Sequence, residues 1–293
     1  IRDVERSRGL GDVYKRQGVT WGAVLFLVAS GFSLILGVMG ILNLAHGAIY
    51  MVGAFVGWTI AVQYGLGFWL ATLMGGISGG LIGLAIERGF LRHLYKQLNE
   101  QVLLTFGFVH ILVNLVIWIW GARPRPTFTS PFLSGSVSVG ERLYPIARIG
   151  IIIIGAILAI GLWWLQNKTR LGAIVRAGMD DKEMTMGLGI NLPVVSCGVF
   201  FVGSFLAGFG GVIGAQVLGV YPGLGTEILL LTLVVVIIGG VGSIGGALLG
   251  SMVVGIADAL GKALFPDIAM FIIYLTMIIS LSIRPRGLLG RKI

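Results

Sequence analysis

Long runs of apolar residues without a charge dominate this chain. Residues 17–86 contain no Asp, Glu, Lys or Arg. Later runs without these charges are residues 101–122, 149–167, 184–226, 228–257 and 268–283. A transmembrane helix needs about 20 apolar residues, whereas a membrane β-barrel shows short alternating segments. The continuous runs therefore predict an all-α polytopic transmembrane bundle.

Polar breaks divide the runs into about 8–10 membrane segments, some of them broken or re-entrant. The predicted single spans are residues 18–37, 44–64, 68–86, 101–120, 149–165, 194–216 and 268–283. Residues 226–260 are too long for one crossing, and we expect two segments around a glycine-rich centre.

Two connections between spans have predicted structure of their own. In residues 87–100, leucine and phenylalanine recur at near-helical spacing, which predicts an amphipathic helix at the membrane surface. Residues 121–148 contain four prolines among Ser and Thr, which predicts an irregular outer loop with a short hairpin near residues 137–144.

The segment 166–193 carries most of the charge in the second half of the chain. Seven charged residues lie between Lys168 and Glu183. At roughly 3 kcal/mol each, their insertion at the bilayer centre would cost on the order of 20 kcal/mol. We therefore place this segment in water. The basic connections 87–100 and 166–193 and the basic C-terminus predict a cytoplasmic side, with residues 121–148 outside.

Composition excludes several functional classes. The net charge of +9 belongs to loops flanking spans, so it does not indicate nucleic-acid binding. The single cysteine, Cys197, reads as a small buried hydrophobe without disulfide or metal chemistry. The sequence shows no nucleophile–base pair and no phosphate-binding loop with a lysine. We expect that the protein is not an enzyme and that it binds no metal and no cofactor.

Polar residues recur at regular spacing at the start of the second span. Asn43, His46 and Tyr50 would share one helix face, and Gly47 lies beside them. They are costly in lipid, which favours a place along a substrate path or at a helix break. Alternatively, Asn43 caps the helix and His46 bonds a neighbouring carbonyl. The sequence leaves both readings open.

A second break falls in the glycine-rich stretch 239–246. The helix-weakening residues there are Gly239, Gly240, Gly242, Ser243 and Gly245. With the break near residues 37–47, this stretch predicts a pathway lined by discontinuous helices near the midplane. A tight backbone crossing is the alternative.

Residues 1–17 do not match the chain that follows. The hexapeptide DVYKRQ resembles the translation of an adaptor used in DNA library preparation. We interpret residues 1–17 as non-native, with a disordered basic tail as the alternative, and residues 18–293 as one transmembrane domain.

At this point the motifs indicate a family. Residues 31–55, GFSLILGVMGILNLAHGAIYMVGAF, resemble the signature of permease subunits of branched-chain amino-acid ABC importers. Residues 176–191 resemble the coupling loop of that family, and residues 239–250 its second signature. The length of the chain favours the smaller, LivH-type permease. Met184 and Thr185 stand where the family usually carries two alanines.

The resemblance implies partners and a coupling role. It implies a second, LivM-type permease, two cytoplasmic ATPases that bind the ATP, an extracytoplasmic substrate-binding protein and a bacterial or archaeal inner membrane. The implied coupling residues are Arg176, Ala177, Asp180, Asp181, Glu183, Gly189 and Ile190. The implied function is import of branched-chain or related small amino acids.

Two alternatives stay open. Related importers that carry urea, short amides or other small polar solutes share these motifs. An ion-coupled secondary transporter is a different class, which would require an intramembrane carboxylate or similar group. The long uncharged spans argue against that class.

Overall fold

Eleven α-helices and one β-hairpin make up the described part of the chain. The computed structural model describes the backbone of residues 2–95, 97–129, 134–139 and 142–290, with side chains for residues 17–95, 97–129, 134–137, 144–181 and 183–290. The helices are α1 (Arg2–Met39), α2 (Ala45–Trp58), α3 (Phe68–Gly89), α4 (Leu98–Trp120), α5 (Ile146–Lys168), α6 (Arg170–Asp180), α7 (Lys182–Gly187), α8 (Leu192–Leu218), α9 (Leu224–Gly239), α10 (Ile244–Leu264) and α11 (Ala269–Ile283). A π-helical turn, Thr59–Gln63, extends α2. Strands β1 (Ser136–Val139) and β2 (Arg142–Pro145) pair antiparallel.

Eight of the described helical segments are long and apolar enough to cross a membrane. They are Gln17–Met39, Ala45–Gln63, Phe68–Gly89, Leu98–Trp120, Ile146–Lys168, Leu192–Leu218, Ile244–Leu264 and Pro266–Ile283. Helix α9 is apolar but has 16 residues, a length of about 24 Å, which is short of a full crossing. The predicted all-α membrane bundle with broken segments is confirmed, and the predicted hairpin forms.

Helices α1 and α2 lie at the centre of the bundle. In the most apolar part of α1, 83% of residues are buried, against 11% in the last span. Helix α8 packs on both central helices and on α3. Gly75 and Gly79 of α3 face Gly208 of α8 so closely that a methyl group would not fit. Packing this close replaces the hydrophobic drive that lipid does not provide.

The helix ends form two distinct surfaces. The basic end holds residues 90–95, α6, α7 and the C-terminal segment 284–290; there Gly37 of α1 packs against Gly242 and Met179. The hairpin end holds the β-hairpin and the start of the α1 span, where Thr20 Oγ1 lies 3.1 Å from the Tyr144 hydroxyl. The cytoplasmic position of the basic end, which the positive-inside rule indicates, stays a prediction.

The predicted amphipathic helix at residues 87–100 is wrong. Helix α3 continues to Gly89, a 3₁₀ turn covers Leu91–Leu94, and α4 begins at Leu98. Phe90 leaves the helical region, with φ −131° and ψ −55°, and this ends α3. Glu87 belongs to α3 and is buried, because two donors compensate its carboxylate as described below.

The predicted non-native segment 1–17 is described only in part. The backbone of residues 2–17 continues α1, whereas residue 1 and the side chains of residues 2–16 lie outside the described part of the chain. Residues 291–293 lie outside it as well. A non-native start therefore stays a prediction.

Candidate functional site

Helices α6 and α7 occupy the segment 166–193, which the charge pattern places in water. Thr169 caps α6, Asp181 caps α7 and Asn191 caps α8, each accepting a backbone N–H at 3.0–3.3 Å. Gly189 has a φ of +82°, a conformation that glycine adopts without strain. Three capped starts and one glycine turn fold this polar connection into an ordered pair of short helices.

The predicted coupling residues divide into exposed and half-buried groups. Exposed are Asp180, Asp181, Glu183 and Gly189, and half-buried are Arg176, Ala177 and Ile190. Sequence reasoning missed a more informative feature, the apolar patch of Met184 and Leu188, which are four residues apart on one side of α7. Met184 is 67% exposed and Leu188 is 72% exposed. Clustered apolar side chains on a surface outside the membrane indicate a protein-binding face.

A cavity of about 310 Å³ lies behind α7. Val38 and Met39 at the end of α1, Tyr95, and Glu183 and Met186 of α7 contribute to its lining. This cavity separates part of α7 from the end of α1.

Glu87 joins three elements at the basic end and was missed as a site residue. Its side chain is buried, with 1% of the residue exposed. One carboxylate oxygen accepts from the Tyr95 hydroxyl and the other from Cys197 Sγ of α8, at 2.7 Å. Burial, together with the bond to Glu87, raises the pKa of Tyr95 above its ordinary value. Cys197 is thus a hydrogen-bond donor, and its reading as a small hydrophobe is wrong.

The first break lies deep in the bundle. Asn43 Oδ1 accepts from the Ala45 N–H at 3.1 Å, and His46 Nε2 donates to the Val28 carbonyl at 3.1 Å. Val28 is halfway along the α1 span, so α2 begins at mid-depth. Both bonds match the reading in which Asn43 caps the helix and His46 bonds a neighbouring carbonyl.

A second helix also begins inside the bundle at this point. Gly47 of α2 packs directly on Gly225, in the first turn of α9. Among the described residues, Asn43 Nδ2, His46 Nδ1 and the Tyr50 hydroxyl are buried without a hydrogen-bond partner. Discontinuous helices with buried polar atoms are typical of transport pathways. A role for these residues in a substrate path stays a prediction.

The second break lies at the basic end, so its predicted midplane position is wrong. Gly240 and Gly242 have φ of +99° and +77° and form the turn between α9 and α10, and Ser243 caps α10. Gly239 and Gly245 flank that turn. The C-terminal segment ties onto it, because the Leu289 N–H donates to the Gly239 carbonyl at 3.0 Å. The tight crossing, which was the alternative, describes this glycine cluster.

The hairpin end is closed by backbone contacts. Arg125 and Val220 exchange two backbone hydrogen bonds, of 2.7 and 3.0 Å. The Arg125 guanidinium lies 4.8 Å from the centre of the Trp58 ring, and Trp58 Nε1 donates to the Pro126 carbonyl at 3.2 Å. We call this set, Trp58, Arg125, Pro126 and Val220, the outer closure. Sequence reasoning missed it because it joins residues far apart in the chain.

The described residues contain no group of three or more His, Cys, Asp or Glu that could hold a metal. Asp258 and Lys262 form an ion pair at 2.8 Å, with Asp258 largely buried and Lys262 exposed.

Comparisons with known proteins agree with the motifs. Residues 16–281 match the family model described as the permease component of branched-chain amino acid transport systems. The permease BraD of Pseudomonas aeruginosa is 30% identical over 289 residues, covering 94% of both chains. LivH of Salmonella typhimurium is 28% identical over 291 residues, again covering 94% of both. LivM of the same organism is 27% identical, covering 70% of this chain and 52% of its own.

A solved structure shares the fold. The structure of PsaBC from Streptococcus pneumoniae in complex with Fab aligns over 92% of this chain and 91% of that chain, with a TM-score of 0.51 and 15% identity. At 15% identity, this likeness shows a shared fold and nothing more. Eight apolar helices make this a multi-pass membrane protein. Because the family model matches most of the chain and a LivH-type relative is 30% identical, the protein belongs to the branched-chain amino-acid transport permease family.

Proposed function

We propose that this chain is one permease subunit of an ATP-driven importer of branched-chain or related small amino acids. The observation that carries the proposal is the capped α6–α7 pair, which presents an apolar patch on the basic end. A membrane protein gains nothing by exposing Met184 and Leu188 to water unless another protein covers them. A cytoplasmic ATPase is the partner that fits this surface.

The remaining partners follow from the family. A second permease of the LivM type completes the pathway, and the two ATPases bind the ATP, so this subunit requires no cofactor. A substrate-binding protein delivers the amino acid to the hairpin end. The assembly lies in a bacterial or archaeal inner membrane.

Helix α8 connects the two ends of the molecule. It begins two residues after Ile190, next to α7, and has 27 residues, a length of about 40 Å. Its far end leads directly into Val220 of the outer closure. A displacement of α7 by the ATPases therefore moves a rigid rod whose other end touches the closure.

Transport in vesicles tests the function. The permease pair is reconstituted with or without the ATPases and the binding protein, and uptake of leucine and urea is measured. We expect leucine uptake that requires ATP and both ATPases. Uptake driven by a proton or sodium gradient alone would overturn the proposal, and selective uptake of urea would move the substrate to the amide class.

The α7 patch is tested by substitution. Met184→Ser with Leu188→Ser removes apolar area without touching the bundle. We expect ATPase association to weaken roughly 100-fold or more, because each of the two buried apolar side chains contributes about 1.5–3 kcal/mol. Asp181→Ala removes the α7 cap, whereas Asp181→Asn retains a capping side chain and serves as its control. Unchanged ATPase pull-down by the double variant would exclude the patch as the docking face.

A further inference from the structure

An aliphatic cavity of about 270 Å³ opens beside α6 and takes no part in the proposed docking. Leu162 and Leu165 of α5, Leu171 and Ile174 of α6, and Val195 and Val202 of α8 line it. Carbon atoms form nearly the whole lining, so it offers water few hydrogen-bond partners, and dry apolar cavities bind apolar ligands.

The shape of this cavity suits a chain-like ligand. Its lining on α8 extends from Val194 to Val202, a distance of about 12 Å along the helix axis. Val194 and Leu171, at the basic end, are 64% and 65% exposed. The cavity is therefore a slot along α8, with its mouth at the boundary between membrane and water.

Positive charge flanks the mouth. Lys168 and Arg170 are exposed in the tight turn between α5 and α6. This turn is bracketed by Gln166 and Leu171, which both line the cavity. The sequence from residue 146 to residue 179 contains no Asp or Glu. An apolar slot below two cations is complementary to an anionic lipid, because the acyl chain is apolar and the headgroup is negatively charged.

We propose that this slot binds one anionic phospholipid of the cytoplasmic leaflet. One acyl chain lies between α5 and α8, and the phosphate contacts Lys168 and Arg170. The bound chain supports α6 from below, because Leu171 and Ile174 form the roof of the slot. The lipid thereby sets how firmly the α6–α7 pair is held against the bundle.

Gly198 provides a variant that fills the slot. It lines the cavity, and a methyl group at this position would meet no neighbour within 4 Å. Gly198→Phe therefore occupies the slot without a backbone clash. Gly107 of α4 is equally open but lies outside the slot, so Gly107→Phe is the matched control for a new aromatic side chain.

A second pair of variants tests the contacts between the basic residues and the lipid headgroup. Lys168→Gln with Arg170→Gln removes the headgroup contacts and leaves the slot intact. Arg88→Gln with Arg92→Gln changes two exposed arginines at the same end and serves as the control. These exposed substitutions leave packing unchanged, so the proposal remains testable even if Gly198→Phe fails to fold.

Native mass spectrometry of the two-permease complex in phosphatidylglycerol and phosphatidylcholine nanodiscs measures the binding. We expect retention of phosphatidylglycerol over phosphatidylcholine by roughly 30-fold, given two basic contacts. Gly198→Phe should lose both lipids, the glutamine pair should lose the preference, and both controls should match the parent. Equal retention of both lipids by the parent would overturn the proposal. So would unchanged lipid retention with failed permease pairing in Gly198→Phe, which would assign the slot to the second permease.

Discussion

The two ends of the molecule are built differently. At the hairpin end, two backbone hydrogen bonds join Arg125 and Val220, and the Trp58 ring lies against the Arg125 guanidinium and donates to the Pro126 carbonyl. At the basic end, backbone bonds tie the C-terminal segment to the turn between α9 and α10, but the starts of α6 and α7 are held by side-chain caps, with cavities of about 310 and 270 Å³ beside these two helices. Backbone bridges bind distant parts of the chain together, whereas caps stabilise only the helix that they begin.

From this difference we infer that the hairpin end is the closed end. We propose that the outer closure separates before a solute passes that end. For an importer of the proposed type, the outer closure is the contact that releases when substrate is delivered. The closure and the α7 cavity lie at opposite ends of α8, so the two regions are expected to respond together.

Locking the outer closure should have the largest effect. Arg125 and Val220 form a hydrogen-bonded antiparallel pair, whose Cα atoms are typically about 5.5 Å apart, within disulfide range. In a Cys197→Ser background, Arg125→Cys with Val220→Cys should abolish leucine uptake after oxidation, with recovery under reductant. The measurement is uptake in vesicles before and after reduction.

Controls separate locking from damage. Each single cysteine variant reports the loss of one side chain. Val137→Cys with Tyr144→Cys crosslinks two residues that already face each other within the hairpin, and it should transport normally. Full transport by the oxidised Arg125–Val220 pair would show that this contact does not need to open.

The sequence predicts the spans well because burial in lipid leaves a strong local signal. Every predicted span overlaps a described helix, and the glycine break at residues 239–246 separates α9 from α10. These features depend on runs of 15–25 residues, and such runs can be seen in one sequence without any structure. The position of residues 166–193 in water was predicted by the same logic, since charge is excluded from hydrocarbon.

Features that depend on contacts between distant residues could not be predicted. Glu87 reads as a surface charge until Tyr95 and Cys197 are seen to donate to it. The depth of the two breaks was equally hidden, because both appear as glycine-rich interruptions in sequence. Only the contacts of His46 with Val28 and of Gly240 with Gly290 separate mid-depth from the basic end.

Removing the Glu87 carboxylate should have an intermediate effect. Glu87→Ala leaves the Tyr95 hydroxyl and the Cys197 thiol without their acceptor, and an unsatisfied buried polar group costs about 1–3 kcal/mol. Glu87→Gln retains an oxygen that accepts from Tyr95, so its loss should be smaller. Thermal unfolding of the purified permease in nanodiscs measures both variants, and equal midpoints for Ala and Gln would mean that the hydrogen bonds contribute nothing.

The smallest expected effect concerns how often the outer closure opens. Trp58→Phe retains an aromatic ring beneath Arg125 but loses the Nε1 donor to Pro126, a bond that contributes about 1 kcal/mol. A loss of this size raises the open population about fivefold. Val220 is fully buried, so the alkylation rate of Val220→Cys in a Cys197→Ser background reports opening, and Trp58→Phe should raise that rate about fivefold. Thr59→Val, which removes the neighbouring bond from Trp120 but leaves the closure intact, is the control; equal acceleration by both variants would indicate general loosening of the hairpin end.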